Sequence, residues 1–486
     1  MILEIFIILA VLLGGSALMR TTGIRGWPLP ALGFIAGICL QVIIGSIQAI
    51  TALPTYPMFT IILTISLPSA WWLISFLQGR NVSIKWTSAL FTCTVVIILV
   101  ILLREANLVN WHTDTYHYLM SGKLLADNNY YAIILNALTK RLLALPLIHA
   151  PANLQGEYYL RSFSPLLAIS TIMVFSWFLK LGLRHKLSLK YFSVISVSGI
   201  LLLITNNRFV FNAFYINAHL LFAALLLIIS GSCWLLIRRA DVPARALLTM
   251  QLLAIPVFIL TRAEAFIIAA LALLPFAISD KIPSMQRAFS LLVFGISVTV
   301  WHSFLAIAYI QRGAEIPLSV SAPFALGIFS ILVVPFLSRQ YYRQYYSRLP
   351  IILETGLWLA LFVFAIIQPN RFYSSLTATI ENVIFDAGSW GYSLIILALL
   401  ICGILVFTSV PDRLFLRFPL TTFIPAAFLL AHLRGGSYRV GDGDSLNRSF
   451  IHIVPLAILF IVSAVESERW ELPEWLKNIF ARFKTK

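Results

Sequence analysis

PLPALGFIAGICLQVIIGSIQAI, residues 28–50, contains no charged residue and is long enough to cross a bilayer as one helix, which takes about 20 apolar residues. Similar runs recur along most of the 486-residue chain, which is 60% hydrophobic and only 11% charged. Soluble domains carry about 25% charged residues. The sequence therefore predicts an all-α, polytopic transmembrane helical bundle without a separate soluble domain.

The apolar runs predict about 13–15 membrane spans, of which those near 246–279 and 418–432 are the shortest. The spans are expected near 3–19, 28–50, 57–78, 86–103, 162–180, 190–206, 211–237, 246–261, 265–279, 288–310, 320–337, 349–368, 390–409, 418–432 and 450–466.

This pattern divides the chain into four parts. N-terminal transmembrane helices occupy 1–104, a long polar loop follows at 105–161, and a transmembrane core occupies 162–466. The last part, 467–486, carries aromatic and aliphatic residues at helical spacing with basic residues between them, which predicts an amphipathic cytoplasmic tail on the membrane surface.

The net charge of +16 does not indicate nucleic-acid binding, because the basic residues lie in short loops between apolar runs. About two thirds of them fall on one side of the predicted spans, and the richer side is normally cytoplasmic. We therefore expect a multi-pass protein of the cell inner (plasma) membrane, with its N-terminus outside and its C-terminus in the cytoplasm. The polar loop then faces outside.

The polar loop contains a dense cluster of ionisable and aromatic side chains, WHTDTYHY at 111–118. We expect Asp114 to act as a catalytic general base, with His117, Tyr118 and Lys123 contributing to substrate binding. The alternatives are an interfacial Asp114 flanked by an aromatic belt, and a Lys123 that only snorkels. The apolar spacing predicts two interfacial helices in this loop, one after Asp114 and one from about 130 to 147.

A second charged element, TRAEA at 261–265, joins two short apolar runs. Arg262 and Glu264 are opposite charges in a tight turn, and such charges are costly to bury unless they are paired or engaged with a ligand. Arg262 is suited to a phosphate because its planar group bonds two oxygens. The alternative is an ion pair that only fixes the turn.

Three more arginines are candidates for phosphate binding: Arg208 beside two asparagines, Arg439 in a glycine-rich loop, and Arg448 at the start of the last span. Asp442 and Asp444 in the same loop are candidates for a divalent cation, Mg or Mn, although such a pair is a weak signal. No residue is assigned as a metal ligand, and no other cofactor is expected. The sequence has no P-loop, no dinucleotide-binding glycine pattern and no HExxH motif.

These elements resemble the GT-C superfamily of membrane glycosyltransferases, which use polyprenyl-phosphate sugars and include mannosyl- and arabinosyltransferases. The resemblance rests on Asp114 with Tyr118 in an early loop, on the R-x-E turn of Arg262 and Glu264, and on Arg448 opening a late span. Many family members carry a double acidic motif in the loop, whereas Thr115 follows Asp114 here. Another alignment places His112 at the family acid.

The resemblance implies a GT-C-like fold and an inverting transfer of a hexose or pentose on the external face. The donor would be a polyprenyl-phosphate-linked sugar, and the acceptor a cell-envelope glycan, lipid or protein. Asp114 would be the base, the arginines would hold the lipid phosphate, and membrane lipids would be the other partners. The alternatives are a flippase or transporter of lipid-linked saccharides, and a polysaccharide polymerase or ligase.

Overall fold

The computed structural model describes residues 1–51, 53, 57–79, 86–128, 142–185, 187–238, 241–335, 348–407, 414–433, 440–441 and 445–464. The helices of these residues are, in chain order, α1 (Ile2–Thr21), α2 (Pro28–Ile50), α3 (Pro57–Leu77), α4 (Trp86–Ala106), α5 (Thr113–Ala126), α6 (Ala144–His149), α7 (Phe163–Leu183), α8 (Leu189–Ile204), α9 (Asn207–Ala213), α10 (Ala218–Arg238), α11 (Ala244–Ile259), α12 (Ala265–Ile278), α13 (Ser284–Gln311), α14 (Leu318–Val333), α15 (Leu349–Ile367), α16 (Pro369–Val383), α17 (Ser393–Phe407), α18 (Leu414–Leu433), α19 (Ser445–Ser449) and α20 (Val454–Ala464). Short 3-10 helices occupy Ala150–Gln155 and Phe450–Ile453.

The prediction of an all-helical membrane protein is confirmed, since no β-strand occurs in the described parts of the chain. Nine of the described helices are long and apolar enough to cross a membrane, or ten if α8 and α9, bent by 69° at their junction, form one span. Five further apolar helices, 10–17 residues long, also coincide with predicted spans. The predicted total of 13–15 spans depends on whether these five helices cross the membrane completely, and it stays a prediction.

The chain divides into two compact units, and each has its own core. Unit 1 comprises Met1–Val174 and Phe211–Pro350, and unit 2 comprises Phe175–Val210 and Ile351–Lys486. Nearly all of α10 is buried in unit 1, and all of α20 is buried in unit 2, where it packs against α8, α17 and α18. The predicted amphipathic tail at 467–486 lies outside the described residues.

The helices at the start of unit 1 pack closely because glycines line their contacts. A Cβ added to Gly15 would overlap the carbonyl oxygen of Gly33, and one on Gly37 would overlap that of Val11. Without hydrophobic driving force inside a lipid phase, helices associate through such close packing of small residues. The glycines therefore fix the crossing of α1 with α2, against which the polar loop packs.

The two helices predicted in the polar loop have different outcomes. The first is α5, in which Thr113, Tyr116 and His117 are exposed and six other residues are buried; its position at the membrane interface stays a prediction. The described part of the second, α6, is fully buried and therefore does not lie on a membrane surface. Gln41 of α2 donates its side-chain NH to the carbonyl oxygen of Leu147 at 3.0 Å, which draws α6 into the bundle.

Candidate functional site

The segment that carries Asp114 is pinned to unit 1 on both sides of this residue. Before it, the backbone NH of Asn110 donates to the carbonyl oxygen of Phe214 at 2.7 Å. After it, the hydroxyl of Thr115 donates to the carbonyl oxygen of Ile216 at 3.1 Å, and Thr115 is completely buried. These two hydrogen bonds hold Asp114 in place although it lies in a long loop.

Asp114 itself occupies the first turn of α5, and His112 caps the same helix. The Nδ1 atom of His112 accepts the backbone NH of Asp114 at 3.2 Å and lies 3.8 Å from its Oδ2 atom. A helix N-terminus carries a partial positive charge that favours a carboxylate there. The Asp114 side chain is 15% exposed and so remains accessible, whereas His112 has a capping role that explains its position beside the acid.

Tyr118 lies one helical turn beyond Asp114, on the same face of α5. Its side chain is 1% exposed, so the phenol is part of the wall of the site. His117 is exposed on the surface, where its ring meets that of Tyr116 edge-on with centroids 6.1 Å apart. The D-x-x-x-Y spacing thus has a structural basis, because it places acid and phenol together.

The turn of Arg262 and Glu264 lies between α11 and α12 in the same unit. The Nε atom of Arg262 donates to Oε1 of Glu264, and each side chain is 15% exposed. The turn also contacts the polar loop, because the backbone NH of Ala144 donates to the carbonyl oxygen of Leu260 at 3.0 Å. The ion pair that the sequence suggested is therefore present.

The electrostatics of Arg262 connect this turn with α5. Burial acts to lower the pKa of Arg262, but Glu264, Tyr118 and Asp114 outweigh it and raise the pKa above its ordinary value. A charge acts on another through partly desolvated protein only when the two are close. The structure therefore relates two pairs that the sequence predicted separately, Asp114 with Tyr118 and Arg262 with Glu264.

Within the described residues, Glu264 Oε1 is the hydrogen-bond acceptor of Arg262, and this bond uses the Nε atom. Its two Nη groups keep donors for another partner. A guanidinium with these donors, beside a carboxylate at a helix N-terminus, can bind an anion and receive a proton from a hydroxyl at the same time.

The other predicted residues make contacts of their own. The Lys123 ammonium lies over the ring of Tyr158, 5.7 Å from its centroid, and its Cα is about 13 Å along α5 from that of Asp114. In unit 2, Arg208 is 3% exposed and donates to the carbonyl oxygen of Gly388, which is a contact that fixes a loop. Arg448, also in unit 2, is partly exposed at the end of α19.

The predicted Arg439 and the acid pair Asp442 and Asp444 lie outside the described residues. Among the residues that are described, no group of three His, Cys, Asp or Glu side chains is placed to hold a metal ion.

Sequence reasoning did not single out Glu4, Arg104 and Glu157, which form a partly buried ionic cluster in unit 1. Nη1 of Arg104 lies 2.7 Å from Oε2 of Glu4 and 2.9 Å from Oε2 of Glu157, and Glu4 is completely buried. One signal was available, since an acid inside a predicted span is rare unless it has a partner. The partner could not be found locally, because it lies 100 residues away.

The chain matches no family model, no curated protein and no solved structure.

Proposed function

We propose that this multi-pass membrane protein is a glycosyltransferase that moves a sugar from a polyprenyl-phosphate donor to a cell-envelope acceptor. The proposal is carried by the Arg262 guanidinium, which Glu264 holds in a turn whose start is hydrogen-bonded to the polar loop, and by Asp114 of the same loop, which acts on this guanidinium electrostatically. An amphiphile with a phosphate at headgroup level would meet both groups. The site would face outside the plasma membrane, as the distribution of basic residues predicts.

In this reaction, Asp114 takes the proton of an acceptor hydroxyl while the hydroxyl oxygen forms a bond to the anomeric carbon. The bond from that carbon to the phosphate oxygen breaks, and the polyprenyl phosphate leaves with the electron pair. The Nη groups of Arg262 stabilise the leaving charge. Asp114 acts as the base and the Glu264 carboxylate is bonded to Arg262, so neither serves as a nucleophile and the sugar carbon is inverted in a single displacement.

The remaining parts of the site support these two roles. Glu264 holds the guanidinium through Nε and so orients both Nη groups. Tyr118 contributes a buried phenol near the same guanidinium. Thr115 and Asn110 hold the start of α5, so the carboxylate needs little rearrangement to act. Preorganised charges of this kind account for a large share of rate acceleration in enzymes.

The test is a transfer assay with purified protein in nanodiscs. Radiolabelled polyprenyl-phosphate sugars and a membrane-extract acceptor pool are supplied to wild type, to Asp114→Asn and to Asp127→Asn. Asp127 is a matched control, because it is exposed at the other end of α5. Loss of a general base lowers turnover roughly 10²–10⁴-fold. We expect this loss in Asp114→Asn with donor binding retained, and wild-type turnover in Asp127→Asn.

If Asp114→Asn and Asp127→Asn have the same turnover, Asp114 has no part in the reaction. If wild type leaves the label on every donor yet moves donor lipid between leaflets of a vesicle, the flippase alternative replaces the transferase. A product that lengthens by many sugar units would favour the polymerase.

A further inference from the structure

The end of the polar loop and the residue that follows it, Ser162, form the segment EYYLRS, residues 157–162, which we call the strap. Its last residue is fixed to the first helix: the backbone NH and the hydroxyl of Ser162 both donate to Oε1 of Glu4 at 2.8 Å. Glu4 and Ser162 are each completely buried. A carboxylate inside an apolar helix is thus held by two donors from the end of the loop.

The first residue of the strap is fixed by the same cluster. Arg104, at the end of α4, bonds the carboxylate of Glu157 through both Nη groups and the second oxygen of Glu4 through Nη1. The bidentate contact with Arg104 lowers the pKa of Glu157. Since Arg104 begins the polar loop and Glu157 is near its end, the cluster closes the loop at its base.

The middle of the strap contacts the segment that carries the candidate base. The ring of Tyr159 meets the ring of Trp111 edge-on, with centroids 5.1 Å apart and planes at 89°. Trp111 precedes the capping residue of α5 and is three residues from Asp114. The Arg161 guanidinium also lies over the Tyr159 ring, 6.0 Å from its centroid.

A further anchor lies between these contacts, where the backbone NH of Leu160 donates to Nδ1 of His149 at 3.1 Å. His149 is completely buried at the end of α6, so this residue of the strap is also held from inside the bundle. The strap is therefore fixed at 157, 160 and 162, and its ring at 159 is presented in a defined position.

We propose that Glu4 is a positioning residue for Asp114, acting through Arg104 and the strap on Trp111. Glu4 does not touch the candidate site; it sets where the strap lies, and the strap sets where the start of α5 lies. The catalytic meaning of this position rests on the proposed function, but the mechanical link from Glu4 to α5 does not.

Hydrogen–deuterium exchange of the protein in nanodiscs tests the link without any substrate. In Glu4→Gln the Arg104 guanidinium loses one carboxylate, and removing one partner of a buried ion pair strongly weakens the surrounding structure. We expect exchange to rise by about tenfold or more in peptides covering 157–163 and also in those covering 107–126. Exchange in α10 should be unchanged.

The matched control is Glu354→Gln, the same substitution in another arginine–carboxylate pair, Glu354 with Arg417 of unit 2. This control should leave both loop peptides as in wild type. A rise confined to 157–163 in Glu4→Gln overturns the proposal, because the strap would then be released without moving α5. No rise in either peptide overturns it as well.

If Glu4→Gln does not fold, Tyr159→Leu keeps the proposal testable, because it removes the ring contacts with Trp111 and Arg161 and leaves the bonds of Glu4 and Arg104 in place. Exchange should then rise in 107–126 while 157–163 stays protected by Arg104 and Glu4, and unchanged exchange in 107–126 overturns the proposal.

In the transfer assay, Glu4→Gln should lower kcat per donor-binding site about tenfold or more, with KM for the donor within about threefold. If the number of donor-binding sites falls while kcat stays at the wild-type value, Glu4 contributes to the stability of the protein and not to the position of Asp114. Full activity of Asp114→Asn would instead defeat the proposed function and leave the exchange result standing.

Discussion

Replacing Arg262 separates the two roles that its turn can have, fixing the chain and binding an anion. In Arg262→Gln the Glu264 carboxylate stays at 15% exposure without its guanidinium. Removing one partner of a fully buried pair costs about 3–5 kcal/mol, and the remaining exposure reduces this to about 2–4 kcal/mol of unfolding free energy. The double variant Arg262→Gln/Glu264→Gln removes both charges of the pair, so its free energy of unfolding should lie within about 1 kcal/mol of the wild-type value.

Donor binding should respond differently from stability. A bidentate contact between the Nη groups and a phosphate contributes about 3 kcal/mol, which corresponds to a loss of roughly 100-fold in affinity when it is removed. The single Arg262→Gln and the double variant both lack this contact, so both should bind the donor lipid weakly. Glu264→Gln keeps the guanidinium and should bind it within a few-fold of wild type.

The measurements are denaturant unfolding in mixed micelles and equilibrium binding of a fluorescent polyprenyl phosphate in nanodiscs. If the double variant regains donor affinity together with stability, Arg262 only fixes the turn between α11 and α12. The proximity of Arg262 to Asp114 would then be a structural feature without a part in binding.

Three further predictions concern the framework of the site. Gly15→Ala should lower the thermal midpoint strongly, because its Cβ overlaps the Gly33 carbonyl, whereas Gly403→Ala, a helical glycine with no neighbour near the added Cβ, should not. Burial lowers the pKa of His149 from 6.5 to about 3, so the folded state binds fewer protons than the unfolded state. The unfolding free energy should therefore fall by about 1.4 kcal/mol per pH unit as the pH drops from 6.5 towards 3. In thermal melts at several pH values, His149→Gln should reduce this dependence on pH. Arg104→Lys should destabilise the protein although it keeps the charge, since an ammonium cannot bridge two carboxylates as a guanidinium does, and the same melts would measure this loss.

The helices were predictable because their signal is local. A run of apolar residues such as 28–50 requires a helix in a membrane, since every backbone polar group must be bonded within its own segment. The prediction for 28–50 matches α2 at both ends. The predicted span 190–206 ends close to the break after Ile204, but the 69° bend there was not predicted. At the break, the buried Asn206 accepts the backbone NH of Phe209 through Oδ1 at 3.0 Å.

The candidate residues of the site could be named from the sequence, and their roles stay predictions, whereas the contacts that hold them in place could not be named. Asp114 and Arg262 were singled out by their types and by family resemblance, and the structure places them near each other. The contacts of Glu4 with Arg104 and Ser162 join residues 100 and 158 positions apart, and no periodicity encodes such a pairing. The contact of Arg208 with the Gly388 carbonyl oxygen, 180 positions away, could not be predicted for the same reason, and its expected role at a phosphate stays a prediction.

Two arginines of unit 1 show why burial alone does not identify a binding residue. Arg104 and Arg262 are similarly buried, with side chains 12% and 15% exposed, and each meets carboxylates. Arg104 uses both Nη groups on two glutamates, so its hydrogen-bonding capacity is directed to the protein itself. Arg262 meets its glutamate through Nε, which leaves the two groups best suited to a phosphate available within the described structure. The second arginine therefore has the arrangement of a ligand-binding group, and the first that of a structural one.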